Sequence, residues 1–165
     1  MKEYSEAHLN ILTTTKDVYI NQIINSLEKF LYEGIMKQYK LSLREKNKFE
    51  VFRKRLSDIP NWNQHVIDNE YAKFLEYNNE TKFERLIRAI FVTYTKILTS
   101  VKMNYNKKTK VNLVIPDNKK FIHFCYIQIA REFYKNPNLL DHTVKTSEKQ
   151  MNLKESLNII KNSIN

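Results

Sequence analysis

The stretch TKFERLIRAIFVTYTKILTSV, residues 81–101, decides the fold. Phe83, Leu86, Ile87, Ile90, Phe91, Tyr94, Ile97, Leu98 and Val101 recur at three- and four-residue spacing for five turns, which is the period of a helix with one buried face. Thr81 followed by Glu84 at its start reads as a capping box.

Working outward toward the N-terminus, Val66, Ile67, Tyr71, Phe74 and Leu75 predict a shorter helix that stops at Asn78-Asn79. Ile59-Pro60-Asn61-Trp62-Asn63-Gln64 is a corner before it, with an asparagine available as a cap for the next helix and Trp62 as a core plug. Ser42 and Glu45 read as another capping box, opening a helix with Phe49, Phe52 and Leu56 on its apolar side. Before that, Ile20, Ile23, Ile24, Leu27, Phe30 and Leu31 predict a long helix from about Ser5 to Lys40, broken near Thr13-Thr14-Thr15.

Toward the C-terminus, Asn104 to Lys110 reads as a polar basic loop. Val111 to Ile115 is a short extended segment, closed by Pro116, that packs on the helices or pairs with another chain. Asp117 caps a central helix from Asn118 to Lys135, which Asn136-Pro137-Asn138 ends. Leu139 and Leu140 fold back, His142 to Ser147 forms a linker, and a capping pattern at Ser147 opens a final helix with Met151, Leu157, Ile160 and Ile164 on one side. The expectation is all-α: a single compact domain of five to six helices with one extended segment at 111–115. Residues 1–141 form the core, and 142–165 are a linker and a C-terminal helix.

Composition points the same way. One glycine, Gly34, among 165 residues leaves almost no material for hairpins or for phosphate-cradling and nucleophile-elbow loops. Gly34 lies late in a helix, where it marks close packing rather than a turn or has no use that the sequence assigns. No apolar run reaches the ~20 residues that span a bilayer, and the N-terminus lacks a signal-peptide layout, so neither membrane insertion nor secretion is expected. The lone cysteine, Cys125, fits a reducing compartment.

No chemistry-bearing cluster stands out. His123 and Cys125 are two residues apart on a helix and point away from each other, so Cys125 reads as a buried thiol. The four histidines are scattered without a zinc pattern, and no cofactor or metal is expected. A divergent enzyme would need a pocket joining His123 to a carboxylate from another helix.

The functional signal is charge. Twenty-eight Lys and Arg against 18 Asp and Glu give +10, which favours anionic partners, although the same lysines accompany a general richness in Asn, Ile and Tyr. Between 101 and 135 only Asp117 and Glu132 oppose eight basic residues. Lys102, Tyr105, Lys107, Lys108, Lys110, Lys119 and Lys120 are the candidate nucleic-acid contacts, with Tyr105 placed to stack on a base or pack against a sugar. Arg44, Lys46, Lys48, Arg53, Lys54 and Arg55 form a smaller cluster.

Ile59 to Gln64, Phe91 to Lys102, and the blocks Phe121-Ile122-His123 and Ala130 to Pro137 occur in an order and spacing that resembles an uncharacterised protein family of giant and other nucleocytoplasmic large DNA viruses. Tyr32-Glu33-Gly34-Ile35 resembles that family's N-terminal helix. The resemblance implies a viral protein of the host cytoplasm, nucleus or virion, with a viral or host protein as partner. It also implies relatives that continue beyond the segment at 159–164, and it assigns no site residues. The expected function is a non-enzymatic structural or interaction protein with a basic surface, the alternative being a sequence-nonspecific nucleic-acid-binding module.

Overall fold

The computed structural model describes residues 6–103 and 112–165. Six helices follow in order: α1 (Glu6–Ser42), α2 (Lys48–Asp58), α3 (Gln64–Leu75), α4 (Glu80–Met103), α5 (Asn118–Lys135) and α6 (Thr146–Ile164). Two 3-10 turns, η1 (Ile59–Asn61) and η2 (Pro137–Leu140), follow α2 and α5. The all-α class is as expected, and no strand occurs among the described residues. Asn112 to Asp117 have no regular structure, and Val111 lies outside the described residues.

Several helix boundaries differ from the sequence expectation, each for a local reason. α1 does not break at its threonines, because Thr14 Oγ1 donates to the Asn10 carbonyl one turn back (2.9 Å) and stays within the helix. Ser42 ends α1 instead of opening α2. Its hydroxyl donates to the Tyr39 carbonyl at 2.6 Å. At α4 the cap is Asn79, whose Oδ1 accepts from Lys82 N at 2.8 Å, so Thr81 lies inside the helix. α6 begins at Thr146 after Lys145, without a side-chain cap, and Ser147 is its second residue. Asn63 does cap α3, accepting from Val66 N at 3.0 Å.

The chain divides into two compact units. The first comprises Met1–Ile23 and Asn78–Asn118. Within it Phe83, Leu86 and Ile87 are buried as the helical stripe requires, but farther along α4 the buried side chains are Thr93 and Ser100. Their hydroxyls donate to the carbonyls of Ala89 and Lys96, which removes the cost of hiding them. Tyr94 and Val101, expected in the stripe, are exposed.

The second unit comprises Ile24–Tyr77 and Lys119–Asn165. Leu27, Leu31, Ile35 and Tyr39 of α1 descend at four-residue spacing into a core with Phe52 and Leu56 of α2, Phe74 of α3, and Ile122, Ile129 and Phe133 of α5. Phe30 sets its ring edge against Phe74 and Tyr126, and Tyr39 does so against Phe52. Leu140 of η2 is buried, and α6 packs on η2. Lys161 also reaches Glu28 of α1 at 3.5 Å. The buried face of α6 carries Ser156 and Ile160, whereas Met151, expected inward, is exposed. Ser156 follows the rule of the buried hydroxyls in α4 and donates to the Asn152 carbonyl.

Candidate interface for an anionic partner

Of the basic residues singled out in the sequence, Lys119 and Lys120 open α5. Cations at a helix N-terminus oppose the helix dipole, and Asp68 of α3 offsets that. Its Oδ1 accepts from Lys119 Nζ at 2.8 Å and from Gln64 Nε2 at 2.9 Å. Those bonds, the one from Lys119 foremost, hold the Asp68 carboxyl below its ordinary range. Lys119 also lies 5.8 Å from the centre of the Tyr71 ring. Its charge is therefore answered within the unit, while Lys120 is exposed. Lys102 is in the last turn of α4, in the first unit. Its side chain, together with Tyr105, Lys107, Lys108 and Lys110, lies outside the described residues.

The second unit has a groove of about 530 Å³ between the end of α2 with η1 and the outer side of α5. Leu56, Pro60, Ile127 and Ala130 supply apolar walls, and Arg131, Tyr134 and Lys135 line the α5 side. Arg53 reinforces that side: its Nε donates to the Tyr134 carbonyl at 3.0 Å and its guanidinium lies 5.6 Å from the Tyr134 ring centre. A carbonyl accepts a hydrogen bond without cancelling the charge. Neither Arg53 nor Arg131 enters an ion pair among the described residues. Glu132 is the carboxylate of the lining, and Lys135 Nζ holds its Oε1 at 2.7 Å.

The candidate reactive groups of α5 are committed elsewhere. Cys125 is buried, and that burial pushes its thiol up to about 12, far from a nucleophilic thiolate at neutral pH. His123 Nε2 donates to the Ile59 carbonyl at 2.8 Å, and the Trp62 ring stacks on the imidazole. Trp62 is thus a half-buried plate at the corner between η1 and α5. Tyr126 donates to Glu70 Oε2 at 3.0 Å, and Glu70 Oε1 accepts from Lys73 at 2.7 Å. Burial, followed by the Glu70 charge, raises the Tyr126 phenol well above its ordinary value. Among the described residues no three His, Cys, Asp or Glu side chains come together to hold a metal.

The groove was not evident from sequence. Arg53 belongs to one basic cluster there, and Arg131 and Lys135 to another, 81 positions apart in the case of Arg53 and Tyr134. Nothing local says that the two clusters meet. A usable signal was the recurrence of large side chains on the outer face of a helix already expected to be central.

Fold and groove together describe an all-helical protein whose second unit carries a part-apolar groove edged by Arg131 and Lys135. Residues 9–141 match the family of unknown function DUF5764, and the chain belongs to that family. No curated protein and no solved structure matches it. No described helix is long and apolar enough to cross a membrane.

Proposed function

We propose that this chain is a non-enzymatic interaction protein that meets an anionic partner through the groove between α2, η1 and α5. The observation that carries this is Arg131, which lines the part-apolar groove and enters no ion pair among the described residues, with Arg53 held against the Tyr134 that lines it as well. The protonated Cys125 thiol and the carbonyl-bound His123 favour binding over catalysis. The resemblance carried by residues 59–64, 91–102 and 121–137 supports a setting in the virion or host cytoplasm of a large DNA virus, with a viral or host protein as the partner.

The test is titration of the full chain with labelled polyglutamate and with single- and double-stranded DNA and RNA, at low and near-physiological salt. Arg131→Glu should weaken polyanion binding by about ten-fold. Lys154→Glu, on exposed α6, changes net charge equally and should leave it nearly unchanged. Equal losses would reduce the effect to net charge and remove the groove.

The nucleic-acid module remains the second proposal, on the charge excess between 101 and 135. Asp68→Asn removes the carboxylate charge that answers Lys119 and should then steepen the salt dependence of DNA binding by up to about one phosphate contact. Reversal of Lys107, Lys108 and Lys110 should flatten it, and unchanged slopes in both variants would sink that alternative.

A further inference from the structure

Phe124, Ile127, Gln128, Arg131, Tyr134 and Lys135 follow one another at three- and four-residue intervals, or adjacent to such a step, and share one face of α5. That face is uncovered. Phe124 is 55% and Tyr134 47% exposed, Gln128, Arg131 and Lys135 are exposed, and Ile127 is half-buried. An outer helix face is ordinarily polar throughout, yet half of this one is apolar and it borders the groove walled by Leu56 and Pro60. From Phe124 to Lys135 the face is roughly 16 Å long, about three helical turns.

Its electrostatics are one-sided. Lys135 and Glu132 of the lining answer each other, which leaves Arg131, with Arg53 held beside it on Tyr134, as the charge at the groove, so an occupant bearing carboxylates is complementary. A second copy is not, because two chains of +10 repel. A nucleic-acid strand would use the cations but leave the aliphatic walls of Leu56, Pro60 and Ile127 unsatisfied, since bases stack on aromatic planes.

We infer that this groove docks an acidic amphipathic helix of about three turns from another protein, in the helix-in-groove mode. Apolar side chains at i, i+3 or i+4, and i+7 of the incoming helix lie over Ile127, Ala130 and the Tyr134 ring. Its flanking carboxylates meet Arg131 and Arg53. The inference rests on the proposed anionic partner and narrows it to one chemical class.

The experiment uses the full chain and a labelled peptide of about 14 residues, with leucines on one helical face and glutamates elsewhere. A scrambled peptide of the same composition and a single-stranded DNA of similar charge are the comparisons, all at near-physiological salt. The amphipathic peptide should bind about ten-fold tighter than its scramble and gain helicity on binding. Phe124→Ser, at an exposed position, and Arg131→Glu should each remove most of that preference while the melting temperature stays unchanged. Equal affinity for the two peptides would overturn the helix while leaving an anionic partner in place. Tighter binding of DNA would overturn it in favour of nucleic acid, and sedimentation as a dimer that Phe124→Ser dissolves would overturn it in favour of self-association. Failure of both peptides and of DNA to bind would remove the inference together with the function on which it rests.

Discussion

Gly34 of α1 lies directly beneath the phenol of Tyr126 of α5, so closely that a Cβ there would overlap the tyrosine hydroxyl and lie 2.7 Å from two ring carbons. Tyr126 cannot step aside. Its ring is buried, its hydroxyl is bound to Glu70, and the edges of Trp62 and Phe30 contacts fix its plane. The only glycine in the sequence is therefore a packing residue, and helix propensity is subordinate to it.

Gly34→Ala tests this with opposing signs. On propensity alone alanine would stabilise a mid-helix position by about 1 kcal/mol. Overpacking against a fixed ring costs about 1–3 kcal/mol, and the net effect in urea unfolding should be destabilising. Tyr126→Phe in the alanine background should recover part of the loss, because the hydroxyl is the nearest atom. A stabilised Gly34→Ala protein would show that the ring moves freely.

The caps of α4 separate two neighbouring residues. Asn79→Ala should cost about 1 kcal/mol of unfolding free energy, since its Oδ1 serves the Lys82 amide. Thr81→Ala, inside the helix and exposed, should stay within about 0.5 kcal/mol of the parent. The reverse ranking would restore Thr81 as the cap.

Asp141 gives stability a pH dependence. Burial works to raise its carboxyl, but the Thr143 amide and hydroxyl and the Lys48 ammonium together outweigh it, so the folded-state value lies below the ordinary one. A group depressed in the folded state contributes stability above its unfolded pKa, and that contribution is lost as pH falls through the folded value. Asp141→Asn should cost about 0.5–1 kcal/mol at neutral pH, as for a partly exposed ion pair, and less below pH ~4. A constant difference between parent and variant across that range would show that the carboxylate charge plays no part.

Cys125 offers a kinetic check. With its thiol at about 12 and its side chain buried, it should react with a disulfide reagent at pH 8 roughly a hundred-fold more slowly in the native protein than in denaturant. Comparable rates would mean that α5 opens readily or that the thiol is not shielded.

The helices were legible because their apolar periodicity is strong. Leu27 and Leu31 lie inside as spacing requires, and of the asparagines at the corner it is Asn63 that caps α3. The capping pattern at Ser42, Thr81 and Ser147 does not mark a helix start, because a hydroxyl followed three residues later by Glu or Gln also occurs within a helix; at Ser42 the hydroxyl bonds backward to Tyr39. Burial of Thr93 and Ser100 escaped periodicity altogether, because hydropathy cannot register a hydroxyl satisfied by its own helix. Of the candidate site, charge showed Arg53 and Arg131 as basic but not as neighbours of one groove. That proximity depends on how α2 and α5 pack, and no local pattern encodes it.

The corner at Trp62 has an optical consequence. The chain has a single indole, held flat on His123 and edge-on to Tyr126, within two residues of the Pro60 that lines the groove. Its emission is thus a single-site reporter of the seam between η1 and α5. Occupancy of the neighbouring cleft becomes visible as a change in intensity or wavelength without any label added to the protein.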